Sequence, residues 1–172
     1  SNSAELVNLR LEDIAIFYRS NAQSRPLEQA LFRAGIAYKV YGGLRFFERQ
    51  EIKHALAYLR LILNPQDHSS FLRIINFPPR GIGSKSIEKI NKISEIKKCS
   101  LFEALSFTDL SGKAAASIKA FSALFDKLRV DTQQKSLAFI IETVINDSGL
   151  VSHYENDKDG FDRIENLKEL IN

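Results

Sequence analysis

Apolar residues recur along this chain at two spacings, and the change from one to the other falls near Gly42-Gly43. Asp13 to Arg19 (DIAIFYR) is an apolar run of strand length, rich in isoleucine and aromatics, and predicts a strand. Pro26 sits where a first helical turn tolerates its fixed φ. Leu27, Ala30, Leu31 and Ala34 then follow at helical spacing, and Gly35 is placed to end that helix. Ile36 to Tyr41 (IAYKVY) predicts a second short strand. Strand, helix, strand is one unit of an α/β sheet. Two strands are too few to stand alone, so the unit is expected to belong to a larger sheet.

Beyond Gly42-Gly43 the strand signal gives way to helical periodicity. Glu48 to Leu63 carries Ile52, Ala55, Leu56, Leu59 and Leu63 on an amphipathic pattern closed by Asn64-Pro65. Ser69 or Ser70 is expected to cap a short helix through Phe71, Leu72, Ile74 and Ile75. Ile87, Ile90, Ile93 and Ile96 form one stripe among lysines, and Leu101, Phe102 and Leu105 a short helix. Long patterns over Gly112–Val130 and Leu137–Ile145 follow, the second closed by Asp147-Ser148-Gly149. The polar stretch Asn156–Gly160 reads as a loop, and Phe161–Ile171 begins one more helix. The predicted fold is mainly α: an α/β fragment over residues 1–41, then a helical bundle over 42–172.

The densest local chemistry lies in Asn76-Phe77-Pro78-Pro79-Arg80-Gly81-Ile82-Gly83-Ser84-Lys85-Ser86-Ile87. Two prolines stop the preceding helix. Two glycines permit a tight turn and close backbone approach. A helix restarts at once, with Ser84 or Ser86 as the expected cap. Unpaired amides at that helix start suit a phosphate, and Arg80 and Lys85 add positive charge. The pattern reads as a helix-hairpin-helix grip on a nucleic-acid backbone, with Ile82 anchoring it to the core and Lys89 and Lys92 extending the charge. An ordinary inter-helix turn with solvated basic residues would leave the same pattern.

Composition narrows the picture only moderately. The 172 residues carry a formal charge of +3 and a pI near 9.0, compatible with a polyanionic partner. A lone cysteine, Cys99, excludes an intrachain disulfide and suits a reduced, cytoplasmic protein. No apolar run approaches the roughly 20 residues of a membrane span. The three histidines stand apart with no second ligand at metal spacing, so no metal site is expected. No catalytic constellation stands out. The absence of methionine, and a helical pattern still running at Leu170-Ile171-Asn172, predict an internal piece of a longer chain, with Ser1-Asn2 as a scar.

Other polar residues admit two readings each. Arg19 and Asn21 follow the first strand, where α/β sheets usually bind ligands. They could contact phosphate and sugar, or Asn21 could cap a turn while Arg19 pairs with Glu28. Gly42-Gly43 is an economical hinge, with Arg45 just past it. Phe46 and Phe47 could stack on bases or pack between subdomains. Glu48, Arg49, Glu51, Lys53 and Arg60 read as ordinary surface pairs along one helix.

Five stretches in register resemble the UvrD/PcrA/Rep family of superfamily 1 DNA helicases. They are Ala15–Arg25 (AIFYRSNAQSR), Tyr41–Lys53 (YGGLRFFERQEIK), Ala57–Ile62 (AYLRLI), the Arg80-Gly81-Ile82-Gly83 turn, and Arg163–Leu167 (RIENL). The resemblance implies that residues up to Tyr41 begin the RecA-like motor subdomain 2A. It implies that Gly42 onward is most of the accessory subdomain 2B, with Gly42 and Gly43 as hinge. It further implies single-stranded DNA contacts at Arg19, Asn21 and Arg45. Duplex-backbone contacts are implied at Arg80, Gly81, Ile82, Gly83, Ser84 and Lys85. Arg163 and Glu165 are expected to fix helix packing. The longer protein would use ATP and magnesium for 3′-to-5′ unwinding of DNA without sequence specificity. This piece lacks the G-x-x-x-x-G-K-[ST] loop and the Asp-Glu pair, so it should not hydrolyse ATP itself. A competing expectation is a helical interaction or autoinhibitory module that packs on the motor or on a repair partner, marked by a broad exposed apolar patch.

Overall fold

Helix α2 (Gln50–Leu63) runs through the middle of the bundle, and its composition explains why. Ile52, Ala55, Tyr58 and Leu61 are wholly buried, and α3 (His68–Ile74), α6 (Gly112–Asp131), α7 (Leu137–Asp147) and α9 (Gly160–Ile171) all pack against it. The computed structural model describes residues 10–18, 23–40 and 46–171. Its remaining helices are α1 (Ser24–Arg33), α4 (Ser84–Lys97), α5 (Leu101–Ala104) and α8 (Leu150–Tyr154). Arg19, Asn21, Gly42, Gly43 and Arg45 lie outside the described residues.

The mainly α class holds, and the helical periodicities became helices within a few residues of their expected ends. Among the described residues there is no strand: 14–18 and 36–40, read as strands, have no hydrogen-bonded ladder. A strand exists through its neighbour, and two short runs flanking one helix do not make a sheet. The helix between them does form, with Gly35 at φ +66° just past its end.

Local caps depart from expectation in two places. Asp67, not Ser69 or Ser70, caps α3: its Oδ1 accepts the Ser70 amide at 2.9 Å and its Oδ2 the Ser70 hydroxyl at 2.7 Å. Those bonds hold the Asp67 carboxyl below its ordinary pKa. At α4 neither serine caps the helix; Gly83 occupies that position in extended backbone without a side-chain bond.

The core is aromatic at its centre. Phe121 and Phe125 of α6 lie 4.9 Å apart, Phe71 meets Phe121 edge-on at 6.1 Å, and Tyr58 stacks over Phe125 at 5.9 Å. Each buried ring contributes about 1.5–3 kcal/mol of transfer free energy. The isoleucine stripe of α4 buries Ile90 fully but leaves Ile96 exposed, because α4 packs mainly on the short α5.

Several polar groups expected at the surface are inside. Arg49 and Glu51, read as surface pairs, are 6% and 4% exposed. Arg49 Nη1 donates to Asn166 Oδ1 at 2.8 Å and Nη2 to Ser24 Oγ at 2.5 Å. Asn166 Nδ2 donates to Glu51 Oε1 at 2.6 Å, and Arg163 lies 3.8 Å from Glu51 Oε2. Burial pushes the Arg49 guanidinium below its ordinary pKa, against the pull of Glu51. The chain thus joins α1, α2 and α9 through satisfied polar groups. Arg163 packs as expected, whereas Glu165 makes an exposed pair with Lys168.

Two features of the region between α8 and α9 generate tests. The Gly160 backbone lies against the end of α8, so an added Cβ would fall 1.9 Å from the Tyr154 carbonyl oxygen. Gly160→Ala is expected to destabilise the fold by on the order of 2 kcal/mol or more, read by urea unfolding; an unshifted midpoint would overturn the packing. The second feature is His54, stacked on Phe77 at a ring distance of 3.6 Å, with Nδ1 3.1 Å from the Tyr154 hydroxyl. Burial, aided by Arg73, His153 and Arg163, lowers its pKa from 6.5 to about 4. Burial also raises the Tyr154 hydroxyl to about 12, so it stays protonated and donates to the neutral imidazole. The unfolded chain therefore binds more protons than the folded one between pH about 4 and 6.5. Stability should be full above that window, fall as pH drops through it, and level off below it. His54→Gln should flatten this part of the pH profile, worth about 3 kcal/mol; an identical profile would refute the assignment.

Candidate nucleic-acid interface

The turn between α3 and α4 is held by side chains that the proline and glycine pattern did not reveal. Asn76, two residues past the end of α3, accepts the Arg80 amide at 2.9 Å and the Ile82 amide at 3.1 Å through one oxygen, Oδ1. Ile82 is 1% exposed and plugs into the core. The Phe77–Pro78 peptide is cis. Tyr58 of α2 donates its hydroxyl to the Phe77 carbonyl at 2.6 Å. From α6, Ser117 donates its hydroxyl to the Arg80 carbonyl at 2.6 Å.

Arg80 points inward. Nη1 donates to the Ile74 and Pro78 carbonyls at 3.0 and 3.1 Å, and Nη2 to the Tyr58 hydroxyl and the Ser148 carbonyl at 2.5 and 3.2 Å. Four of the five guanidinium N–H groups are thereby occupied by protein acceptors. The same group sits 5.4 Å from the Phe121 ring centre and 5.9 Å from that of Tyr58. Burial raises the Tyr58 pKa, opposed by the Arg80 charge and hydrogen bond. In this geometry Arg80 fastens the turn to α2, α3 and the end of α7.

What faces solvent is backbone. Gly81, Gly83, Ser84 and Lys85 are exposed, and among the described residues their amides have no protein acceptor. The first helical bonds of α4 come from the Ser86 and Ile87 amides to the Gly83 carbonyl. Gly81 has φ +74°, which explains a glycine there. Gly83 has ordinary φ, and an added Cβ would meet nothing within 4 Å. Neither backbone strain nor packing among the described residues requires a glycine at 83. Close approach by something outside the chain would.

The surrounding charges divide. Lys85 and Lys92 are exposed, whereas Lys89 donates to the Asp109 carbonyl at 2.9 Å. Lys113, the second residue of α6, lies across the turn: a Cβ on Gly81 would be 3.4 Å from its Cε and 3.9 Å from its Nζ. Sequence spacing offered no signal for Lys113, which stands 32 residues downstream of Gly81. Asn76 was visible at the head of the turn, but its double acceptor role depends on the folded path. Elsewhere, Phe46 is buried under Arg25 and Arg49, while Phe47 is 57% exposed. No group of three or more His, Cys, Asp or Glu residues able to hold a metal forms among the described residues.

The family model for the UvrD-like helicase C-terminal domain matches residues 3–172. The chain is 46% identical over 167 residues to DNA helicase II of Escherichia coli strain K12 and 44% identical over 168 residues to that of Haemophilus influenzae. It is 38% identical over 167 residues to the ATP-dependent DNA helicase PcrA of Bacillus subtilis strain 168. These alignments cover 94% of the chain but only 23% of each relative, so the chain spans about a quarter of their length.

The inward placement of Arg80 has a direct test. Arg80→Lys removes the planar fork that reaches several acceptors at once and should destabilise the fold by about 3 kcal/mol in urea unfolding. Unchanged stability together with lost DNA affinity would instead make Arg80 a phosphate ligand.

Proposed function

The chain belongs to the UvrD-like helicase C-terminal domain family, and from this premise we propose that it is the duplex-holding part of an ATP-dependent DNA helicase. The observation that carries the reading is the row of exposed, unpartnered amides at Gly81, Gly83, Ser84 and Lys85, opening onto the N-terminus of α4. Such amides bind phosphate oxygens, and the helix dipole favours negative charge there. Lys85 adds a mobile cation. Ile82 and Arg80 serve from behind, holding the turn in shape. Phosphate contacts carry no base information, so binding is non-specific in sequence and falls steeply with salt.

In this reading residues 1–41 begin motor subdomain 2A and residues 42–172 form most of accessory subdomain 2B, with Gly42-Gly43 between them. Arg19, Asn21 and Arg45 contact the single strand. ATP and magnesium do not fit the residues at hand: the sequence has no phosphate-binding G-x-x-x-x-G-K-[ST] loop, and no acidic cluster assembles among the described residues. They belong to the rest of the longer protein, which unwinds 3′-to-5′. No helix among the described residues is long and apolar enough to cross a membrane.

A second reading, an interaction module, draws on exposed apolar side chains in the first segment. Ile14, Ile16, Phe17 and Phe32 are all more than half exposed, Phe17 at 93%. They suit burial against further motor elements, and they are remote in sequence from the Gly81 turn.

Gly83→Val separates the readings, because position 83 tolerates a side chain without strain. The variant should lose no more than about 1 kcal/mol of stability, the cost of an unfavoured cap, yet bind a short DNA duplex roughly tenfold more weakly by fluorescence anisotropy at low salt, a loss of about 1.4 kcal/mol. Unaltered affinity would take the turn out of the interface.

A further inference from the structure

The charge at the Gly81 turn comes from an unexpected place. Arg80, the basic residue within the turn, is tied to four protein acceptors and has little left to offer a ligand. Lys89 is held by the Asp109 carbonyl. Lys113 reaches the turn from the first turn of α6. Ser117, one helical turn later on the same face, hydrogen-bonds the Arg80 carbonyl at 2.6 Å and locks α6 against the turn. The Lys113 stem then lies beside Gly81, with its Nζ 3.9 Å from where a Cβ on Gly81 would sit. Lys127 and Lys168 have carboxylate partners; Lys113 has none among the described residues.

We infer that Lys113 is a phosphate-contacting residue of this interface, supplying from α6 the cation that Arg80 cannot. The inference rests on the duplex-contact reading of the Gly81 turn and adds a residue to it. A glycine at 81 fits both demands: it meets the positive φ and leaves room for the lysine stem. The ammonium therefore stands next to a turn whose Gly81, Gly83, Ser84 and Lys85 amides have no protein acceptor among the described residues. A phosphate there would meet charge from one helix and directed donors from the start of another. Loss of one such contact lowers the log–log salt slope of duplex binding by about 0.9.

The experiment measures binding of the chain to a short blunt DNA duplex by anisotropy across a sodium chloride series. Lys113→Gln is compared with Lys113→Arg, with Gly83→Val, and with Lys119→Gln. Lys119 is a lysine on the same helix that lines the groove between α5 and α6. Lys113→Gln should weaken binding roughly three- to tenfold and reduce the log–log salt slope by about 1. Lys113→Arg should retain most of the affinity, and neither Lys113 variant should move the melting temperature. If Lys113→Gln does no more than Lys119→Gln while Gly83→Val still weakens binding, the Lys113 assignment fails and the turn stands. If neither Lys113→Gln nor Gly83→Val weakens binding, both fall together.

Discussion

A single guanidinium organises the turn between α3 and α4. Arg80 reaches the last carbonyl of α3, the carbonyl of Pro78, the hydroxyl of Tyr58 on α2 and the carbonyl of Ser148 beyond α7. Those acceptors come from four places in the chain, and a planar fork satisfies them together where an ammonium could not. Asn76 works on the same turn from the other direction by accepting two of its amides. With these inner bonds made, the remaining amides of the turn have only solvent, or a ligand, to face. The rigidity of the loop and the openness of its outer edge therefore share one cause. Preorganised donors bind an anion without first paying an ordering cost.

The same logic governs the buried polar chain of Ser24, Arg49, Asn166, Glu51 and Arg163. Isolated, any of these charges would be strongly destabilising inside the bundle, because desolvation outweighs a single attraction. Connected, they fasten α1 and α9 to the first turn of α2. Hydrophobic packing sets how closely the helices approach, and this chain of directional bonds sets their register. The aromatic cluster of Tyr58, Phe121 and Phe125 joins the two systems, since Tyr58 stacks on Phe125 while its hydroxyl serves the turn.

Family membership and geometry contribute different things. Membership says that longer relatives are DNA helicases, and it covers residues 3–172. The geometry says which atoms of this stretch remain open to a ligand. It shifts attention from the side chain of Arg80 to backbone amides, to the spare glycine at 83 and to a lysine on another helix. The exposed apolar residues of the first segment, Phe17 and Phe32 among them, are a separate surface with separate chemistry.

Much of this protein was legible in one dimension. Helical periodicity marked α2, α4, α6, α7 and α9, because a repeating apolar face is a local property of the chain. Gly35 and the Pro78-Pro79-Arg80-Gly81 sequence marked ends and turns, because proline and glycine act on their own dihedral angles. The short α8 went unread, since five residues carry too little periodicity to register. The runs at 14–18 and 36–40 have no ladder among the described residues, in keeping with two strands being too few to stand alone. Whether Arg49 and Glu51 face water, whether Arg80 points out or in, and that Lys113 lies over Gly81 were decided by tertiary structure. Each depends on a partner tens of residues away, and a charged side chain takes its direction from where the chain's other polar atoms come to rest.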